Sequence, residues 1–298
     1  MYKQTYFKFR SPTYKKSQNK KIDGVTIVTL SLGLSEKLKL TLKSVNLQEH
    51  TIRHIIVDGS NNREISEFCA QNFPSVEVFK QNPQGIYSAM NYGLDKVLNN
   101  SYVMFLNEAD FLLGPNAITE LMHALKNQEC WGYGCTIAFS MNDDGLDYHG
   151  CNSPNWRNFR MGLELIPHPS MIAPAIWLKE INGFKTRYRI AGDTELSFRL
   201  FKQYGPARFV NYAISAHEKD GVSTELETRS NFEGRKARFL NFPITTFIKM
   251  LLTLFPTKIP KSKKGVIEDG VPEINNTHFD ICDGTQLFPF CCRKVLVR

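Results

Sequence analysis

The chain has 298 residues, 42% hydrophobic and 22% charged, with a formal net charge of +8. That is enough apolar material for a sizeable core, and it argues against disorder as the general state. The positive charge is not spread evenly. Seven basic groups and no acid occupy residues 1–21, and Lys258, Lys261, Lys263 and Lys264 cluster near the other end. Taking those eleven from the 37 basic residues leaves 26 against 29 acids. A cationic groove across the domain is therefore unsupported, and no nucleic-acid partner is expected. The basic ends suit either solvated tails or contact with an anionic membrane surface. The seven cysteines form no C-x-x-C pair, so they read as reduced thiols in a cytosolic protein. The polar N-terminus has no apolar h-region, and no apolar run reaches the ~18 residues of a bilayer span.

In chain order, Val25 to Leu30 is a β-branched, apolar run, the signal of a buried strand. Leu38, Leu42 and Val45 follow at helical spacing, with Ser35 placed to cap that helix. Further strands are expected at residues 55–57, 76–79 and 102–106, alternating with helices at 63–72, 85–98 and 116–126. Such alternation implies a mostly parallel sheet with helices on both faces. Ligands then bind at the carboxyl ends of the strands, which draws attention to residues 31–33, 58–60, 81–84 and 107–110. From residue 131 the pattern loosens, and residues 140–167 look irregular. Helical signal returns at 194–204 and near 225–240.

Five strand-end or turn constellations could carry chemistry. Asp58-Gly59 fits either a plain turn or an acid that accepts a hydrogen bond from a base or ribose. Glu108-Ala109-Asp110 places two carboxylates just past a buried strand, where a hard divalent ion such as Mn²⁺ or Mg²⁺ can be held. It fits a turn cluster equally by spacing alone. Asp193, after Gly192 and near Arg187 and Arg189, is either a helix cap or a general base. His168 and His217 are structural histidines or site groups, His217 within reach of a metal or diphosphate.

Taken together, the ordered series VTIVTLS, LTLKSVNLQ, IIVDGS, QGIYSAMNYGL, YVMFLNEAD, HPSMI, INGFKTRYRIAGDTELSFRL and GVST resembles the family 2 glycosyltransferases of the GT-A fold. The likeness is greatest to the branch that builds bacterial exopolysaccharide, capsule and O-antigen. The resemblance implies a Rossmann-like, mostly parallel central sheet over residues 22–240, a basic flexible segment at 1–21 and a C-terminal helical extension at 241–298. It implies an inverting, hexosyltransferase-type enzyme. The enzyme would move sugar from a nucleotide-diphosphate donor, expected to be UDP, to a glycan or polyprenyl-linked acceptor. By motif position, Asp193 matches the general base and Asp58 the acid that reads the base, with Ser31, Gly85 and Asn91 beside the donor. Asp110 matches the last acid of the metal motif, with Glu108 and His217 as further ligands of Mn²⁺ or Mg²⁺. His168, Gly183 and Arg189 fall on the acceptor side.

This chain departs from the family pattern at Glu108-Ala109, at Ser88 and at Pro83, but two carboxylates remain in the metal motif. A non-catalytic nucleotide-sugar-binding protein and a nucleotidyltransferase are the alternatives. The absence of Arg or Lys from Leu30-Ser31-Leu32-Gly33 argues against the latter. Residues 244–255 form a short apolar stretch followed by lysines. It suits an interfacial helix on the inner face of the cytoplasmic membrane or a helix docked on the domain.

Overall fold

The computed structural model describes residues 22, 24–126, 130–139, 146–218 and 227–247. The basic segment 1–21, the GVST motif and the chain beyond residue 247 lie outside the described residues, as do most of the apolar stretch and the lysines after it.

The first half alternates as its pattern requires. Strands β1 (Gly24–Ser31), β2 (Ile52–Asp58), β3 (Glu77–Lys80) and β4 (Ser101–Phe105) are separated by helices α1 (Glu36–Asn46), α2 (Glu64–Asn72) and α3 (Ile86–Lys96). They pair in parallel in the order β3-β2-β1-β4. The β-branched side chains of β1 fit a pleated, doubly covered surface. Val28 faces the cluster under α3 together with Val103 and Phe105. Val25 and Ile27 face the opposite cluster with Tyr102 and Met104. The alternation puts helices on both faces, as expected. Ser35 caps α1 by accepting a hydrogen bond from Leu38 N at 3.0 Å. Gly93 lets α3 approach the sheet closely, because a β-carbon there would collide with Val28 and Val57.

The second half is not parallel. β5 (Asp110–Leu112) precedes α4 (Ala117–Leu125). Then come β6 (Gly132–Phe139), β7 (Leu146–His149), α5 (Trp156–Arg160), β8 (Met171–Pro174), α6 (Ala175–Glu180), α7 (Gly192–Tyr204), β9 (Arg208–Glu218) and α8 (Glu227–Asn241). These strands extend the sheet as β4-β8-β6-β9-β5, with β7 paired on β6. The β4–β8, β6–β8, β6–β7 and β5–β9 pairs are antiparallel, and only β6–β9 is parallel. Most paired positions are parallel, as expected, and the correction is confined to the antiparallel pairs of the second half. The α/β plan is that of a GT-A, Rossmann-like fold.

A second correction concerns the cysteines. Cys135 and Cys151 form a disulfide, with Cα atoms 4.4 Å apart. The β6–β7 hairpin sets Thr136 opposite His149 and so delivers the two thiols to one place, although 16 positions separate them. Cys69 and Cys130 are free. Among the described residues, no helix is long and apolar enough to cross a membrane.

Candidate active site

A cleft of about 810 Å³ opens beyond the carboxyl end of β4. It gathers residues scattered through the sequence: Glu108, Asp110, His168, Asp193 and His217 all line it. Five of the eleven residues marked by sequence therefore meet in one space.

At one end lies the strand-end acid pair. Beyond β4 the chain runs alongside β1, with Glu108 N donating to Leu30 O at 3.4 Å. Ala109 then adopts φ +76°, a left-handed conformation unusual for alanine, before β5 begins. Glu108 accepts hydrogen bonds from Ser31 Oγ at 2.7 Å and from Ser35 Oγ. Asp110 is only 9% exposed and accepts from Asn107 N at 3.2 Å. Burial pushes its carboxyl up to about 7, against one amide hydrogen bond that works the other way.

Asp110 is the register partner of His217 across the antiparallel β5–β9 pair. Partners at such a position share one face of the sheet. Burial holds the His217 imidazole down to about 4, with His149 adding to the effect, so it is neutral near pH 7. Its Nδ1 is buried without a hydrogen-bond partner among the described residues, and its ring centre lies 5.9 Å from that of His149.

These groups fit a divalent cation in a specific way. Among the described residues no three His, Cys, Asp or Glu side chains converge on one point. Asp110 and His217, on one face of the sheet, are two side chains that could supply donors to a cation. Mg²⁺ and Mn²⁺ suit that arrangement, because they keep positions open for substrate phosphates. A cation would also relieve the cost of a buried Asp110 charge and use the orphaned His217 nitrogen. Glu108, already occupied by two serines, sits beside that pair.

At the other end stands Asp193, in the first turn of α7. Its Oδ1 accepts from Thr194 N at 2.7 Å and from the Tyr87 hydroxyl at 3.5 Å. Tyr87 also donates to Ile190 O and accepts from Gly192 N at 2.8 Å, so it braces the turn that carries the acid. The same turn is held from behind by Glu233 of α8. Its carboxylate accepts the backbone amides of Arg189, Ile190 and Ala191 at 2.9–3.2 Å. His168 is 8% exposed and stacked on Phe105, with a ring separation of 6.0 Å. Burial lowers its pKa while the Asp193 charge works to raise it. His168 Nε2 has no partner among the described residues.

The other sequence candidates sit outside the cleft lining. Ser31 and Asp58 are register partners at the ends of β1 and β2. Asp58 is fully buried and accepts from Ser60 N at 2.8 Å. Lys80 Nζ forms an ion pair with Asp58 Oδ2 at 2.5 Å, out of line for a hydrogen bond, so that oxygen keeps unspent acceptor capacity. Gly85 starts α3 and, like Arg189, lines a second, smaller pocket. Asn91 spends its side chain on the backbone of Phe184, donating to the carbonyl at 2.8 Å and accepting from the amide at 2.7 Å. Gly183, at φ +52°, lies against it so closely that a β-carbon would collide with Asn91 Oδ1.

Sequence reasoning missed Lys37, Tyr133, His149 and Glu164, all of which line the cleft. Lys37 pairs with Glu218 at 2.5 Å across 181 positions of sequence. Local pattern carries no signal for such a contact.

Residues 26–180, more than half the chain, match the model of glycosyl transferase family 2. No curated protein sequence matches the chain. Among solved structures it is similar to residues 1–349 of Staphylococcus aureus TarS, at TM-score 0.56 and 13% identity over 74% of this chain and 65% of that one. The TarS complex with UDP-GlcNAc gives TM-score 0.58 at 14% identity, and the complex with UDP gives 0.55 at 14%, each over the same shares of the two chains. This chain thus spans just under two thirds of those TarS structures. The sheet order and the family match agree: the chain belongs to glycosyl transferase family 2.

Proposed function

We propose that the enzyme transfers a sugar, with inversion, from a UDP-linked donor to a glycan or lipid-linked acceptor in bacterial surface polysaccharide synthesis. The observation that carries this reading is the single cleft shared by the Asp110–His217 pair and Asp193. One end suits a diphosphate, and the other suits the hydroxyl that attacks.

Asp193 takes the proton from the acceptor hydroxyl as its oxygen bonds to C1 of the sugar. The C1–O bond to the diphosphate breaks on the opposite face, and the diphosphate leaves with the bonding electrons. One base and no enzyme nucleophile give a single displacement, hence inversion. Tyr87 and the turn held by Glu233 keep Asp193 aimed. His168, packed between Phe105 and Phe184, walls the acceptor side with an apolar edge and one free ring nitrogen. Asp110 and His217 would hold Mn²⁺ or Mg²⁺, which would supply positive charge to offset that developing on the leaving diphosphate. Asp58 Oδ2 accepts an N–H from the nucleotide base after Lys80 swings aside, and Ser31 and Gly85 flank that site. The UDP assignment draws support from TarS, whose complexes hold UDP-GlcNAc and UDP.

The location is proposed to be the membrane surface. Phe232, Phe239, Leu240, Ile244 and Phe247 are exposed on α8 and the turn of helix after it. The exposed Arg235 and Lys236 accompany them. Apolar and cationic groups together suit an anionic bilayer surface.

The test of the mechanism is Asp193→Asn, assayed by release of UDP from UDP-sugars. General-base loss predicts a fall of ~10²–10⁴ in kcat, with UDP affinity retained. Wild-type turnover in this variant would remove Asp193 from the role.

A further inference from the structure

One wall of the main cleft is held by a covalent bond. Residues 148–154 line the cleft without a break, from the end of β7 to the residue before the cap of α5. This wall reaches toward both ends of the cleft. The His149 ring centre lies 5.9 Å from that of His217. Gly150, at φ +66°, packs so tightly on Pro167 that a β-carbon there would collide with the proline ring. Pro167 in turn precedes His168.

The wall is fastened to β6 in stages. The β6–β7 ladder pairs Thr136 with His149 at its end. Beyond that pair, the Tyr133 hydroxyl donates to Asn152 O at 3.1 Å, and Cys151 is bonded to Cys135 of β6. Asn155 N, donating to Glu164 Oε2 at 2.7 Å, anchors the far side. The disulfide is thus a covalent tie at the middle of a segment that otherwise rests on single hydrogen bonds and the packing of Gly150.

The two sulfurs differ in access. Cys135 is fully buried, whereas Cys151 keeps 7% exposure and lines the cleft. A thiolate that enters the cleft therefore meets Cys151. Attack there breaks the S–S bond and forms a mixed disulfide on Cys151, while Cys135 leaves with the bonding electrons and takes a proton. The second thiol of a dithiol reductant then attacks the mixed disulfide, releases Cys151 as a thiol and closes the reductant's own disulfide. Cys69 and Cys130 are free, and burial raises both thiols, Cys69 to about 11, so neither is a ready thiolate to scramble the pair.

We propose that the Cys135–Cys151 bond is a redox latch on the cleft wall. Oxidised, it holds residues 148–154, and with them His149 beside His217, in place for the donor. Reduced by a dithiol, it frees the wall and weakens nucleotide binding. The effect on the donor rests on the sugar-transfer reading above; the effect on the wall does not.

The test equilibrates the full chain with varied ratios of dithiothreitol and its oxidised form. Free thiols are trapped by alkylation and mapped by peptide mass, hydrogen exchange is followed across residues 148–154, and UDP is titrated with Mn²⁺. Reduction should expose the Cys135 and Cys151 thiols in the folded chain and quicken exchange across the wall by about ten-fold, while β1 stays protected. UDP affinity should fall by about five-fold or more and return on reoxidation. Cys135→Ser/Cys151→Ser should match the reduced wild type and ignore the dithiol, and reversible reduction of the wild type decides the matter even where that variant folds poorly. A bond that yields only when the chain unfolds would overturn the proposal by making it a fixed staple. So would a wild type whose two thiols oxidised dithiothreitol does not join. In a chain that binds UDP, reduction that leaves either wall exchange or UDP affinity unchanged would overturn it too. If UDP binds in neither state, the sugar-transfer reading falls, and the wall alone decides the latch: faster exchange on reduction upholds it and unchanged exchange ends it.

Discussion

The two halves of the sheet reach the cleft by different routes. In the parallel half the 107–110 turn after β4 enters the cleft, and Ser31, at the end of β1, reaches it through Glu108. The supports there are local or between neighbours, such as Ser35 capping α1 and donating to Glu108. In the other half the cleft residues come from unrelated elements. His149 ends β7, His168 sits in a short turn, Asp193 begins α7 and His217 lies near the end of β9. Their supports span the chain: Glu233 holds the turn before Asp193 from about forty positions away, and Tyr87 from more than a hundred. The first half of the cleft is thus written into consecutive strand–helix units, while the wall around Asp193 depends on long-range closure.

Variants can break or sharpen that contrast. The largest effect is expected at Glu233. Glu233→Ala strips an acceptor from three backbone amides and from Arg229. It should cost about 3 kcal/mol in chemical denaturation, since buried donors left unpaired are expensive. Activity should fall further than stability alone explains, while UDP affinity holds. A loss of UDP affinity of equal size would show that the two halves are not separable.

A smaller effect, read through pH, is expected at His54. It is buried in β2 with Nε2 2.9 Å from Thr29 Oγ1. Burial lowers its pKa from 6.5 to about 4. Between those values the unfolded chain binds a proton that the folded chain refuses, so stability falls as pH drops. The slope from one such group is about 1.4 kcal/mol per pH unit. His54→Gln should flatten the wild-type acid slope by up to that amount, measured by urea denaturation from pH 7 to pH 4.5. An unchanged slope would place the acid sensitivity elsewhere.

The smallest is Ser35→Ala, which removes a local cap and should cost about 1 kcal/mol. Thermal unfolding checks it. A cost several times larger would mean that the Ser35–Glu108 link, not the cap, secures α1.

The same contrast explains what could be read from sequence. VTIVTL announces β1 because an unbroken β-branched run has no other comfortable home, and Ser35 announces the start of α1. Asp110 and Asp193 were legible because each stands at the junction of a strong element. β6 was not legible, since Gly132 and Gly134 interrupt its pattern. Those glycines leave room for Leu125 and Ile214, contacts known only after folding. β9 mixes Arg208, Asn211 and Glu218 with apolar residues, and its pairing with two neighbours supplies the order that its composition lacks. The Cys135–Cys151 pair was hidden for a like reason, because its proximity is a property of the β6–β7 register. Asn91 and Gly183 were flagged by separate motifs, one beside the donor and one on the acceptor side, and the structure fits each against the other.

The central claim is that the Asp110–His217 pair and the Asp58 strand end bind a nucleotide diphosphate with a divalent cation. It is tested most directly by calorimetric titration of the full chain with UDP, GDP, dTDP and CMP, each with Mn²⁺ and with EDTA, in wild type and Asp110→Ala. The account predicts that UDP binds with Mn²⁺, and that both EDTA and Asp110→Ala weaken it by about ten-fold or more. No binding of any of the four, or UDP binding indifferent to both EDTA and Asp110→Ala, would contradict it.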